Sequence, residues 1–189
     1  MATTTSMASF SYNRKSTAPL IRLLSILFAA SVIYGEPPSV VPSACKRAYG
    51  VGGGSFTEEF CLSALTGHSV GAADNADLAL FTVDLAAANA TATEAKIDTL
   101  LGGSGAASEG LRSCRALYDA AVHVYLPDSH AAVKDGKYVD AKLYLSKTAQ
   151  VPVECERWFK QRNVASPVDQ EDDNLAKLAN LAIALTSIA

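Results

Sequence analysis

Four cysteines constrain the fold of this chain more than any other feature. Cys45, Cys61, Cys114 and Cys155 are widely spaced, and none belongs to a CxxC pair. In an oxidising compartment this spacing favours two disulfides over a zinc site. Four cysteines allow three pairings. Pairing neighbours closes the shortest loops, so we favour Cys45–Cys61 and Cys114–Cys155, while the sequence by itself leaves the other pairings open.

The N-terminal segment predicts export. Residues 1–22 are rich in Ser and Thr and carry three basic residues and no acidic one, and residues 23–33 form an apolar run. This pattern predicts a secretory signal peptide over residues 1–35, and the run is too short to stay as a membrane anchor. A plastid transit peptide is the alternative. We expect an extended, proline-containing leader over residues 36–42.

The net charge excludes two classes of partner. The whole chain has a net charge of −3, and removal of the three basic residues of the predicted signal leaves −6. Nucleic acid and anionic lipid need a local excess of Lys and Arg. We therefore expect no nucleic-acid partner and, after signal cleavage, no membrane association.

Helical periodicity dominates the rest of the chain, and no segment alternates with a period of two. A glycine turn separates two short helices over residues 43–66. Four longer helices are predicted within residues 71–189. Pro127 should kink or close the second of them, and residues 151–153 should interrupt the third. Short connections make successive helices antiparallel. The predicted fold is all-α: a helical hairpin followed by an up-down-up-down four-helix bundle.

The sequence shows no recognisable catalytic or metal-binding motif. His68, His123 and His130 have no ligand at a suitable spacing beside them. The acids of residues 169–173 lack the glycine and the spacing of a calcium loop and instead favour the start of a helix. No nucleophile elbow is present. We therefore expect no catalytic residues, metal or cofactor, and a binding role rather than an enzyme. Asn89 begins an Asn-Ala-Thr sequon and is a candidate N-glycosylation site.

Several segments together resemble the plant invertase and pectin methylesterase inhibitor family, and its invertase inhibitor-like branch most. The resemblance spans residues 43–189. The matching residues are Cys45-Lys46, Phe60-Cys61, Leu65, Cys114, Leu117, Tyr118, Tyr138, Ala141, Cys155-Glu156, Trp158-Phe159, Ser166-Pro167-Val168, Leu178 and Ala182 to Leu185.

The resemblance implies a non-catalytic inhibitor that binds one to one to pectin methylesterase or acid invertase. It also implies the same fold, the neighbour pairing of the cysteines, and a target enzyme in the cell wall or the vacuole. Together with the predicted signal peptide, this leads us to expect secretion to the apoplast or cell wall rather than to the vacuole. Gly136-Lys137-Tyr138 stands where the invertase branch has a Pro-Lys-Phe tripeptide. The Gly makes this turn more flexible, which raises the cost of ordering it on binding.

For the pectin methylesterase branch, the resemblance implies that bundle helices cover the enzyme's cleft. Asp140, Tyr144 and Ser146 are the candidate contacts on the third long helix. Two alternatives stay open: a helical bundle that carries a small apolar ligand between its helices, and an inhibitor-like scaffold that has lost inhibition.

Overall fold

A computed structural model describes residues 40–66, 74–103, 105 and 107–189. Within these residues the chain forms six helices and no strand. The predicted signal peptide, most of the leader, His68 and the first residues of the predicted long helix lie outside the described residues. Among the helices of the described part, none is both long and apolar enough to cross a membrane.

The two short helices form the expected hairpin. Helix α1 spans Val41–Val51 and helix α2 spans Glu58–Thr66. Gly53 and Gly54 have φ angles of 59° and 81° in the turn between them, a conformation that favours glycine. A disulfide joins Cys45 to Cys61 across the hairpin.

The leader ends earlier than the sequence indicates. We predict residues 41 and 42 to be extended and outside the core, but they form the first turn of α1, and Val41 is buried. Pro42 fits this position because the first turn of a helix leaves its N–H groups unbonded in any case.

Helix α3 spans Asn75–Leu101. Asp74 caps it: its side chain accepts hydrogen bonds from the N–H groups of Ala76 and Asp77, and the Asp77 carboxylate accepts one from the N–H of Asp74. This reciprocal capping box explains why the described helix begins at residue 75.

Helix α4 is continuous past the proline predicted to kink or close it. It consists of Ser108–Ala120, a π-helical turn at Ala121–Tyr125, and Leu126–Lys134. Pro127 lies in the first turn after the π-helical segment. The wider hydrogen-bonding pattern of that segment lets the helix continue although proline has no N–H to donate. The periodicity predicts that this helix ends near His130, and it ends four residues later, at Lys134.

Helix α5 spans Tyr138–Arg162 without a break, so the predicted interruption at residues 151–153 is wrong. Val151 and Pro152 are both buried inside the helix. Tertiary packing supplies most of the stability of a helix in a protein, and it outweighs the local cost of one proline. Asn163 ends α5 in a left-handed conformation, with φ 53°.

Helix α6 spans Asp169–Ser187 and completes the bundle. It packs along α5 and α3, while α4 packs on α3 and α5. Short connections make these four helices antiparallel neighbours, with α3 diagonal to α5. A second disulfide joins Cys114 of α4 to Cys155 of α5, and α1 packs on α6. The predicted all-α hairpin and bundle is confirmed.

Candidate functional site

The outward face of α5 carries an uncharged line of exposed side chains. Val139, Leu143 and Val153 are 79%, 56% and 50% exposed, which is high for large apolar residues. Ser146 and Gln150 are also exposed and lie between them. We call Val139, Leu143, Ser146, Gln150 and Val153 the α5 stripe. Their steps of four and three residues place them in one row about 21 Å long.

The α5 stripe is not required to hold the helix in the bundle. The opposite face of α5 packs into the core through Ala141, Leu145, Thr148 and Cys155, each of them fully buried. An apolar row on the remaining face gives no folding benefit while it stays in water. Interfaces between proteins are depleted of charge at their centre, and the α5 stripe has this composition.

The turn before α5 presents a paired lysine. Gly136 has φ 71°, and Lys137 precedes the first residue of α5. The Lys137 ammonium lies 2.9 Å from a carboxylate oxygen of Asp135, and this hydrogen bond raises the pKa of Lys137. Tyr138 is half-buried and packs against the core beside the hairpin. Lys137 is therefore exposed but already paired with Asp135, and the neighbouring Tyr138 ring is partly buried.

Three of the predicted contact residues come together in a shallow groove of about 190 Å³ between the end of α4 and the start of α5. Lys137, Asp140 and Tyr144 line it together with Asp128 and Asp135. With three carboxylates and one ammonium group, the groove has a net negative charge.

Ser146 lies outside that groove. It belongs to the α5 stripe, and its hydroxyl donates a hydrogen bond to the carbonyl of Lys142 at 2.7 Å. Next to the stripe, the Lys147 ammonium lies 5.5 Å from the ring centres of both Tyr125 and Tyr144. This cation–π bridge connects the charged edge of α5 to the π-helical turn of α4.

A buried polar cluster lies behind α5. The Tyr118 hydroxyl donates a hydrogen bond of 2.5 Å to Asp172, which is only 1% exposed. Burial, followed by the nearby charge of Glu156, raises the pKa of Asp172 to about 8. Burial also raises the pKa of Tyr118. One oxygen each of Asp172 and Glu156 is closed to solvent and accepts no hydrogen bond.

Asp172 therefore keeps its proton at pH values where an ordinary carboxyl group has lost it, because burial disfavours its charged form. Cys155 lies beside the two acids, but its sulfur is used in the disulfide. The cluster therefore joins α4, α5 and α6 internally, and Asp172 is too deeply buried to meet a substrate.

The described histidines do not share a site. His123 lies 3.9 Å from Asp119 on its own helix, and His130 lies 3.6 Å from Asp84 on α3. Asp119 and Glu94, the acids nearest His123, already bind the guanidinium of Arg115 at 3.2 and 2.6 Å. The cation that balances this acidic group is thus an arginine of the chain itself.

Only Ser146 of the α5 stripe is predicted from the sequence; Val139, Leu143, Gln150 and Val153 are not. The available signal was a second row of residues at three- and four-residue spacing, on the face opposite the core row of Ala141 and Leu145. Asp172 lies in the first turn of α6, as the sequence predicts, but its side chain is buried there, which the sequence does not indicate.

A family model described as plant invertase/pectin methylesterase inhibitor matches residues 39–185. No curated protein matches. Among solved structures, a mutant form of a pectin methylesterase inhibitor from Arabidopsis is similar with a TM-score of 0.66 and 22% identity, over 79% of this chain and 97% of that one. A second pectin methylesterase inhibitor structure from Arabidopsis thaliana has a TM-score of 0.57 and 21% identity, over 76% and 95%. At these identities the likeness shows a shared fold.

Proposed function

Because the chain belongs to the plant invertase/pectin methylesterase inhibitor family, we propose that it is a secreted inhibitor that forms a one-to-one complex with pectin methylesterase. Members of this family are inhibitors rather than enzymes. In this proposal residues 1–35 direct export to the apoplast, residues 36–40 form the leader, and residues 41–189, which begin with helix α1, form the inhibitor domain.

The observation that carries the choice of target is the α5 stripe. An inhibitor that lays a helix over an enzyme's cleft needs a long, uncharged face that is not used in its own core. The α5 stripe has that character over about four turns of helix. Burial of Val139, Leu143 and Val153 against the enzyme would favour binding at about 25 cal/mol per Å² of apolar surface before the costs of association.

Acid invertase is the second candidate, because Lys137 and an aromatic residue follow one another at the start of α5. A lysine suits a glycosidase pocket, which contains acidic groups. Here the Lys137 ammonium would first have to leave Asp135. Gly136 in the left-handed region also has to be ordered on binding. Both features weaken this mode relative to the helix-face mode.

The structure offers little to a carrier of a small apolar ligand. The four grooves found between described residues, about 190 to 420 Å³ in volume, all open to solvent at the surface. The space between the bundle helices is instead filled by buried residues, including Leu145, Leu175, Leu178 and Phe159.

The test is an inhibition titration of the purified, oxidised protein against both enzymes at mildly acidic pH, with two matched variants. Leu143→Asp places a charge in the centre of the α5 stripe. Val51→Asp places the same charge on an exposed valine at the end of α1. We expect the wild type and Val51→Asp to inhibit pectin methylesterase alike. Leu143→Asp should raise the inhibition constant at least tenfold, or about 1.4 kcal/mol.

Each other outcome removes part of the proposal. Inhibition of neither enzyme at micromolar concentration would mean that the scaffold has lost inhibition. Inhibition of invertase alone would replace the target. In that case Lys137→Ala should weaken binding by more than about 1 kcal/mol, as truncation of a hot spot does, while Lys134→Ala, an exposed lysine at the end of α4, serves as the control.

A further inference from the structure

Asn89 lies at the middle of α3, between two grooves that both include it in their walls. One groove, of about 360 Å³, is lined by Phe60, Ser63 and Ala64 of α2, by Leu85 of α3, and by Asn174 and Leu178 of α6. The other, of about 420 Å³, continues past Gln170, Glu171 and Asp173. Volumes of this size are typical of small-molecule sites.

The lining of the first groove combines an apolar floor with amide groups. Phe60, Leu85 and Leu178 supply apolar surface, and Ser63 and Asn174 supply hydrogen-bonding groups. At its rim the Lys177 ammonium lies 5.9 Å from the Phe60 ring centre and 2.5 Å from Asp173. A sugar ring has the matching chemistry, with an apolar face of C–H groups and a perimeter of hydroxyls.

Asn89 is positioned to attach such a sugar covalently at the groove. Its carbonyl oxygen Oδ1 is closed to solvent and accepts no hydrogen bond, while the residue as a whole is only half-buried. Thr91, the third residue of the sequon, is exposed. The side chain is thus held at the edge of both grooves, in the sequon that N-glycosylation requires.

We propose that Asn89 is N-glycosylated and that the first N-acetylglucosamine of this glycan lies in the groove between α2, α3 and α6. Attachment forms a bond from Asn89 Nδ2 to the anomeric carbon of the sugar. It breaks the bond from that carbon to the lipid diphosphate of the oligosaccharide donor. The amide loses one proton, and the lipid diphosphate leaves. This inference rests on the secretion contained in the proposed function, but not on inhibition.

The position of the glycan is compatible with the proposed enzyme-binding face. Helix α3 is diagonal to α5, since each packs mainly against α4 and α6. A glycan in the groove of α2, α3 and α6 therefore covers the side of the bundle away from the α5 stripe, and inhibition should not depend on it.

The test is expression of the full chain in a plant host, followed by mass analysis before and after enzymatic removal of N-glycans. We expect a glycan on the wild type and on Thr91→Ser, which keeps the sequon. Asn89→Gln and Thr91→Ala should lack it. An unmodified Asn89 in the wild type would overturn the site. A chain that carries the glycan but inhibits neither enzyme would leave this inference standing and remove only the proposed function.

The position of the sugar is tested on protein trimmed to a single N-acetylglucosamine. We expect nuclear Overhauser contacts between that sugar and the Phe60 ring or the Leu178 methyl groups. The trimmed wild type should also melt about 2 °C above the same wild-type chain produced in a host that does not glycosylate it, which differs only in the sugar. Absence of both effects would show that the glycan projects into solvent and would overturn its placement in the groove.

Discussion

Asp172 is the residue whose environment departs most from what its neighbours in the chain indicate. Asp169 is exposed in the first turn of α6, where negative charge is favoured by the helix dipole, and Asp173 is exposed just after it. Asp172 points inward and meets Tyr118 and Glu156 instead. Desolvation disfavours its charged form, so the folded protein holds a proton there that the unfolded chain releases.

The raised pKa of Asp172 predicts how the free energy of unfolding depends on pH. The pKa of Asp172 is about 8 in the folded state against an ordinary value of 3.8. Its contribution to stability is therefore fully present below about pH 4 and is lost as pH rises through 8. The free energy of unfolding of the wild type, measured with urea at pH 5 and pH 8, should be lower at pH 8.

The control for this prediction is Asp172→Asn, which removes the titration and keeps the shape of the side chain. We expect its stability to change much less between the two pH values, because an amide can still accept from Tyr118 and can donate to Glu156. An equal loss of stability in the wild type and in Asp172→Asn would assign the pH dependence to other groups.

The helices show what periodicity predicts and what it misses. Hydrophobic spacing gives all six elements, because each helix must bury one face. It fails at two prolines. Local rules predict that Pro127 kinks or ends its helix and that Pro152 interrupts its helix. A π-helical turn accommodates the first proline, and packing of α5 along α6 outweighs the second. Both reasons depend on residues distant in the chain, so no local pattern could reveal them.

The two disulfides close loops of different length, so their removal should lower the free energy of unfolding by different amounts. Cys45–Cys61 closes a sequence separation of 16 within the hairpin, and Cys114–Cys155 closes one of 41 between α4 and α5. On the chain-entropy model, replacing each pair by Ala should cost about 3 and about 4 kcal/mol respectively. Urea denaturation of the two double variants measures this. An unchanged midpoint for Cys114→Ala with Cys155→Ala would contradict the role of that crosslink.

At the scale of the whole molecule, the proposed function assigns folding and binding to different faces of the same helix. The inner face of α5 is fixed by Cys155, Leu145 and Phe159 in the core, which leaves the outer face free for contact with an enzyme. The sequence predicts the bundle and the family resemblance well, because both depend on buried residues and cysteines. Val139 and Leu143 also follow helical spacing, but spacing alone does not tell which of two rows is buried, so their exposure became clear only in the structure.

The proposal that the outer face of α5 binds the enzyme is tested most directly by amide hydrogen exchange of the oxidised protein, alone and with pectin methylesterase. We predict slower exchange in α5 over residues 139–153 when the enzyme is present, and unchanged exchange in α3 around Asn89. Slower exchange confined to other helices, or no change anywhere at concentrations well above the inhibition constant, would contradict the claim that the outer face of α5 binds the enzyme.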